Sequence, residues 1–97
     1  MLNKEQVIAT LRADQGRLRI EYHVASLALF GSFARGQQSS SSDIDVLVDF
    51  SPGASLFDLN GLGNDLTEKL GVRVDVVPRS SLRKEFRQRV LEEAIQV

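Results

Sequence analysis

The 97-residue chain contains no cysteine and only a single histidine. The absence of cysteine excludes disulfides and thiolate chemistry and is typical of a reducing compartment. One histidine cannot build a zinc site that needs several imidazole ligands. Any chemistry must therefore rest on carboxylates, hydroxyls, arginines and the backbone.

Long apolar runs are also missing, because the longest spans only the four residues 27–30, whereas a membrane-spanning helix needs about 20. The sequence does not start with a basic and then apolar leader, so we expect a cytoplasmic protein without a membrane-spanning segment. With 42% apolar and 26% charged residues, the composition is that of an ordinary globular chain. This length leaves room for one domain with one core.

Positive charge is absent from residues 37–68, whereas the same segment carries six acids: Asp43, Asp45, Asp49, Asp58, Asp65 and Glu68. Residues 79–89 have the opposite balance, with five basic residues and one acid. Such segregation indicates either differently solvated faces or an acidic, cation-binding centre beside a basic flank that can meet phosphate. For residues 79–89 we favour a solvated helix face, and we do not expect direct nucleic-acid binding.

Three strands are predicted, at residues 26–30, 43–50 and 72–77. In the second of them, apolar side chains alternate with acidic ones, which is typical of a strand with one buried face. Helical patterns separate these strands. The order of elements indicates three strands in one sheet that is covered by helices.

The first predicted helix begins at Asn3, with Gln6 at the capping-box position, and Gly16 is expected to break or bend it. Residues 17–22 fit either a second helical stretch or a strand. A later helix begins at Ser55, and a last one follows Ser80 or Ser81. The predicted core positions of this last helix are Leu82, Phe86, Val90, Ala94 and Ile95. All five phenylalanines are predicted to lie in the core: Phe30, Phe33, Phe50, Phe57 and Phe86.

Asp43 and Asp45 project from the same face of the strand at 43–50, roughly 6–7 Å apart at 3.3 Å per residue. Two carboxylates at that separation repel each other by roughly 2–3 kcal/mol at an effective dielectric constant of 20. A divalent cation would offset this repulsion, and hard oxygen ligands suit Mg²⁺. Asp75, in the strand at 72–77, is a third candidate, because two-metal phosphoryl-type transfer uses several carboxylates. Exposed strand ends also carry such acidic pairs, so the pair alone does not establish a site.

Gly31 and Ser32 follow the buried strand at 26–30. The glycine allows close approach of the backbone to a ligand, and the serine hydroxyl can donate to a phosphate oxygen. The alternative is a plain strand-to-helix turn with Ser32 as the N-cap. A phosphate cradle that leads into a carboxylate pair is nevertheless a specific combination.

The stretch Gly31-Ser32, ten residues, Asp43-Ile44-Asp45 resembles the motif of the DNA polymerase beta-like nucleotidyltransferase superfamily. Leu-Phe-Gly-Ser-Phe-Ala-Arg-Gly from Leu29 and Ser-Asp-Ile-Asp-Val-Leu-Val from Ser42 are similar to the minimal nucleotidyltransferases (MNT). The resemblance covers about residues 24–97, including the closing Glu-Ala-Ile-Gln-Val. It implies an α/β (α+β) fold, with one nucleotidyltransferase domain over residues 1–97 and a short mixed β-sheet flanked by helices.

The resemblance also implies roles for individual residues. Asp43 and Asp45 would be metal ligands, and Asp75 the third acid, in a two-metal Mg²⁺ site that uses ATP. Gly31 and Ser32 would hold the triphosphate. A separate alternative stays open for Arg35, which either assists the phosphates or fixes the loop as a surface arginine.

Many members of this family are antitoxins. The implied activity is transfer of AMP from ATP to a tyrosine hydroxyl of a HEPN-domain ribonuclease toxin, with which the chain would form a hetero-oligomer. One alternative is a non-catalytic module that neutralises its toxin by occlusion. Another is a small-molecule nucleotidyltransferase that acts on an aminoglycoside-like acceptor.

Overall fold

A four-stranded sheet lies between the helices of the structure, a computed structural model that describes residues 2–97. The elements in chain order are α1 (Lys4–Tyr22), β1 (Val24–Phe30), α2 (Gly31–Arg35), β2 (Ile44–Phe50), α3 (Leu56–Leu70), β3 (Val74–Pro78), a 3₁₀ turn (Arg79–Ser81), α4 (Lys84–Glu93) and β4 (Ile95–Gln96). Within residues 2–97, no helix combines the length and the apolar character needed to span a membrane.

The strand order is β3-β2-β1-β4. Strand β2 runs parallel to β3, whereas β1 is antiparallel to both β2 and β4. Alternate strand residues such as Ile44, Val46 and Val74 meet the apolar sides of α1 and α3 in one buried cluster. The predicted α/β class with a mixed sheet is confirmed, although the sheet has four strands instead of three.

Helix α1 is continuous, so the prediction of a break or bend at Gly16 is wrong. Asn3 and Gln6 form the predicted capping box. A helical glycine costs up to about 1 kcal/mol, and burial of Leu11 and Leu18 on either side of Gly16 outweighs that cost. The alternative strand at residues 17–22 is also wrong, and Ile20, one of its apolar positions, is 82% exposed.

The C-terminal part of the chain departs most from the prediction. Neither Ser80 nor Ser81 caps the last helix, because both lie in the 3₁₀ turn and α4 begins only after Arg83. Residue Ile95, predicted for the helix core, belongs to strand β4 and pairs with Leu29. A β-branched residue favours this strand, and the free edge of β1 provides its hydrogen-bonding partner.

The phenylalanines divide between core and surface. Phe33 is buried, whereas Phe57 is 88% and Phe86 52% exposed, so the prediction that all five lie in the core is wrong for these two. Both exposed rings lie near the start of a helix, Phe57 in α3 and Phe86 in α4. No buried residue is found in α4.

A carboxylate joins α1 to α3. Asp65 accepts hydrogen bonds from both Nη atoms of Arg17, at 2.7 and 2.8 Å, and from the Tyr22 hydroxyl at 2.8 Å. Asp14 contacts the same arginine at 3.1 Å. Hydrogen bonding from Arg17 holds the pKa of Asp65 below its ordinary value, and Tyr22 acts in the same direction. The ionised carboxylate therefore stabilises the packing of the two helices.

We expect Asp65→Ala to lower the free energy of unfolding by about 2 kcal/mol, because it leaves Arg17 and Tyr22 without their shared acceptor. Urea denaturation measures the change. Glu68→Ala, one turn along α3 at an exposed position, is the matched control and should change stability little. An equal effect of both variants would contradict the role of Asp65.

The same pair of proteins tests the pH dependence. A carboxyl whose pKa is depressed in the fold stabilises fully above its unfolded pKa of about 3.9 and loses that contribution as the pH falls through the folded pKa. The stability difference between wild type and Asp65→Ala should therefore be constant near neutrality and shrink below about pH 4. A stability difference that grows on acidification would contradict the lowered pKa of Asp65 in the folded protein.

Candidate functional site

The candidate site lies at one end of the strands of the sheet. Because β1 is antiparallel to β2, and β2 parallel to β3, the end of β1 meets the beginnings of β2 and β3. Phe30, Asp45 and Asp75 are register partners across the three strands. Gly31 follows Phe30 directly, and Asp43 immediately precedes β2. The structure thus brings together residues that lie far apart in the sequence.

Asp45 and Asp75 occupy paired positions on neighbouring parallel strands, so their side chains leave the same face of the sheet. Paired strands lie about 4.8 Å apart, which places the two carboxylates in the range of strong repulsion. Burial raises the pKa of Asp45, and the negative charges of Asp75 and Asp43 raise it further. The ionised form of Asp45 is therefore disfavoured by its surroundings.

Asp75 differs from Asp45 in its surroundings. Its side chain is 40% exposed on the edge strand β3, and Arg73 Nη2 lies 3.2 Å from its Oδ1. Since Arg73 is itself 72% exposed, this ion pair is screened by solvent. The Asp75 carboxylate is thus partly accessible to solvent.

Gly31 lies directly against the Asp45 carboxylate. Its φ of +77° is in the left-handed region, and a Cβ at this position would collide with Asp45 Oδ2. Only glycine satisfies both conditions, so the turn after β1 and the carboxylate of β2 are packed as one unit. Ser32 follows Gly31 directly, in the first turn of α2.

The turn is also held from the far end of the chain. Glu93 Oε1 accepts a hydrogen bond from the Gly31 N–H at 3.2 Å. The same carboxylate accepts two hydrogen bonds from Arg35 Nη1, at 3.1 and 3.2 Å. Arg35 Nε donates to Gln37 at 3.2 Å, so its contacts in the described chain are to loop and α4 residues. Sequence reasoning missed Glu93; the only signal was its place in the closing Glu-Ala-Ile-Gln-Val.

Asp49 lies on the same side of β2 as Asp45 but four residues further along. It accepts a hydrogen bond from Ser26 Oγ at 3.1 Å and pairs with Arg79 Nη1 at 3.3 Å. These neutral and positive partners satisfy the carboxylate locally. Asp49 therefore stands apart from the acidic group at the strand beginnings.

Asp43, Asp45 and Asp75 form the acidic group at the beginnings of β2 and β3, where a metal ion could bind. Within the described chain, no three acidic or imidazole side chains are already arranged as a ligand set. The donors are nevertheless the hard carboxylate oxygens that Mg²⁺ prefers. Burial raises the pKa of Asp45, and the neighbouring negative charges of Asp75 and Asp43 raise it further. The donor chemistry of Asp43, Asp45 and Asp75 therefore suits a divalent cation.

Gly31→Ala should destabilise the fold by more than Gly36→Ala. Both glycines have a positive φ, +77° and +69°, but an added Cβ meets Asp45 at the first position and open space at the second. We expect a loss of about 1 kcal/mol for Gly36→Ala from backbone strain alone and at least twice that for Gly31→Ala. Chemical denaturation measures both, and equal losses would mean that the contact with Asp45 is unimportant.

Asp45→Asn should stabilise the protein at pH 7 by about 1 kcal/mol, because it removes a partly buried charge that neighbouring acids repel. A carboxyl whose pKa is raised in the fold contributes stability below its unfolded pKa and loses it as the pH rises through the folded pKa. The gain should therefore disappear when unfolding is measured near pH 3. Asp49→Asn, which gives up the ion pair with Arg79, should bring no gain; a destabilised Asp45→Asn at pH 7 would contradict the assignment.

Comparisons with known proteins agree with this geometry. Residues 12–97 match the model of the nucleotidyltransferase domain family. Protein adenylyltransferase MntA of Thermococcus cleftensis is 38% identical over 97 residues, which cover 100% of this chain and 98% of the relative.

Two solved structures are similar in fold and sequence. A candidate minimal nucleotidyltransferase has a TM-score of 0.86 and 36% identity, covering 99% of this chain and 97% of that chain. A crystal structure of a toxin–antitoxin with AMP-PNP has a TM-score of 0.70 and 27% identity, covering 98% of this chain and 72% of that one. The chain therefore belongs to the nucleotidyltransferase domain family and, within it, to the minimal MNT members.

Proposed function

We propose that this chain is a metal-dependent protein adenylyltransferase that transfers AMP from ATP to a tyrosine hydroxyl of a HEPN-domain ribonuclease toxin and thereby acts as its antitoxin. The observation that carries the proposal is the pairing of Asp45 with Asp75 across β2 and β3, with Gly31 packed against Asp45. The adenylyltransferase relative and the toxin–antitoxin structure with AMP-PNP support it. The partner class is the one that the MNT resemblance implies.

The nucleotide would bind where the turn after β1 meets the carboxylates. The Ser32 hydroxyl and nearby backbone N–H groups would donate to the β- and γ-phosphates, and the Arg35 guanidinium would assist them. Residues 37–68 contribute no positive charge to this end of the sheet. Arg35 and Arg73 are near the acids, but two positive charges cannot offset the triphosphate and three carboxylates, so the site would need divalent cations.

Asp43, Asp45 and Asp75 would hold two Mg²⁺ ions, which when bound supply charge stabilisation for the triphosphate and for the departing pyrophosphate. Asp75 has a second task. A tyrosine hydroxyl has a pKa near 10, so it needs a base to act as a nucleophile at neutral pH. The exposed position of Asp75 on the edge strand allows it to take the proton from an incoming hydroxyl.

The proposed transfer is a single displacement at the α-phosphorus of ATP. The tyrosine oxygen forms a bond to the α-phosphorus, and the bond from that phosphorus to the oxygen bridging the α- and β-phosphates breaks. Pyrophosphate leaves with the electron pair, and the hydroxyl proton goes to Asp75. The toxin retains AMP as a phosphodiester on its tyrosine.

The acceptor would come from a second protein, and the two chains would form a hetero-oligomer in the cytoplasm. The acids lie where β3 forms an edge of the sheet, so the site is open on that side. A partner that docks beside β3 would bring its hydroxyl to Asp75. The acceptor-binding surface would then come in part from the partner.

The proposal is tested by incubating the chain with Mg²⁺, ATP labelled on the α-phosphate, and a HEPN-domain toxin as the candidate acceptor. We expect label on the toxin and none on a toxin variant whose acceptor tyrosine is phenylalanine. The combined variant Asp43→Asn, Asp45→Asn should lose transfer by more than a hundredfold, because it removes two proposed metal ligands. Asp49→Asn, on the same face of β2, is the matched control and should retain activity.

Three other outcomes would overturn the proposal in different ways. Full neutralisation of the toxin by the double variant, without transfer, would favour an occlusion module. Transfer to an aminoglycoside but not to the toxin would favour a small-molecule nucleotidyltransferase. Equal label with and without a metal chelator would contradict metal dependence.

A further inference from the structure

Glu93 contacts two groups of the proposed nucleotide site without belonging to the acidic cluster. It lies in the last turn of α4, 62 residues after Gly31, and its side chain is only 23% exposed. Its carboxylate accepts from the Gly31 N–H at 3.2 Å and from Arg35 Nη1 at 3.1 and 3.2 Å. One side chain therefore links α4 to both the turn after β1 and the arginine that follows it.

These contacts fix the orientation of Arg35. The guanidinium is planar and carries five N–H donors in a rigid fork. Glu93 engages Nη1 and Gln37 engages Nε, at 3.2 Å, so two of the three nitrogens are held. Among residues 2–97, Nη2 of Arg35 has no hydrogen-bond acceptor, and its two N–H groups remain available for an anion.

The bond to Gly31 acts on the other side of the site. The turn at Gly31 has a left-handed φ of +77° and packs against the Asp45 carboxylate. An acceptor on the Gly31 N–H holds this turn in place before any ligand arrives. Groups that are ordered in advance bind a ligand more tightly, because less conformational entropy is lost on binding.

We infer that Glu93 is a positioning residue for the triphosphate: it holds the Gly31 turn and turns the Arg35 guanidinium so that Nη2 can meet a phosphate oxygen. The inference rests on the proposed function, since it assumes that ATP is the ligand. Glu93 itself touches neither substrate nor metal. It acts through Gly31 and Arg35.

The negative charge of Glu93 would, in contrast to its positioning role, weaken triphosphate binding by repulsion. It is one of the charges that raise the pKa of Asp45, so it lies close enough to repel a triphosphate as well. If Glu93 merely occupied the place of a phosphate, its removal would tighten nucleotide binding. If it positions Gly31 and Arg35, its removal weakens binding. The sign of the change therefore decides between the two roles.

The test is titration calorimetry of the full chain with Mg²⁺ and AMP-PNP. We expect Glu93→Ala to weaken binding about tenfold, since both anchored groups become free. Glu93→Gln keeps an acceptor for the Gly31 N–H but loses the ion pair, so a loss of about threefold is expected. Glu92→Ala is the matched control, because Glu92 is adjacent, exposed, and bonded only to Gln88 at 3.0 Å in the described chain.

Two further readouts separate positioning from a merely structural role. In the transfer assay, Glu93→Gln should raise KM for ATP while kcat changes less than twofold. In an Arg35→Ala background, Glu93→Ala should cost much less than in wild type, because the two residues act together. Loss of thermal stability with an unchanged dissociation constant would overturn the inference.

The failures of the two proposals look different. If wild type binds Mg²⁺ and AMP-PNP but Glu93→Ala and Glu93→Gln bind equally well or more tightly, the positioning role is wrong and the proposed function stands. If wild type binds no nucleotide, the proposed function is wrong and the inference fails with it.

Discussion

Repulsion between the carboxylates at the beginnings of β2 and β3 is the constraint on which the rest of the structure depends. At the spacing of paired strands, two such charges cost about 3 kcal/mol at an effective dielectric constant of 20. Burial raises the pKa of Asp45, and repulsion by Asp75 and Asp43 raises it further. The buried neighbours Ile44, Val46 and Val74 hold the strands in register regardless. The core thus fixes an unfavourable arrangement of charge, which the proposed divalent cations would offset.

The sheet explains how so short a chain assembles the site. Antiparallel β1 delivers Gly31 to the edge where parallel β2 and β3 begin, and so it lies beside Asp45 and Asp75. The return of the chain through β4 to the other side of β1 then places Glu93 on the Gly31 amide. Each contribution comes from a strand terminus or from a turn next to one, and no insertion is needed. The strand pairing that stabilises the sheet therefore also sets the geometry of the site.

The sequence singled out residues whose chemistry is unusual in their local context, and the structure places Gly31 and Asp43 close to Asp45. Acids that alternate with apolar residues indicated Asp43 and Asp45, and a glycine after a buried strand indicated Gly31. The sequence was insufficient where tertiary contacts decide. Burial of Leu11 and Leu18 keeps α1 continuous through Gly16, and the open edge of β1 draws Ile95 into a strand. Glu93 could not be assigned because its partners lie 58 and 62 residues away.

The measurement that tests the central claim most directly is a carboxyl-carbon NMR titration of Asp45, with and without Mg²⁺. Without the ion, the resonance should titrate above the ordinary range for aspartate, because burial and the neighbouring acids disfavour its ionisation. Saturating Mg²⁺ should move the midpoint downward by more than one pH unit. An ordinary midpoint, or one that Mg²⁺ leaves unchanged, would contradict the account.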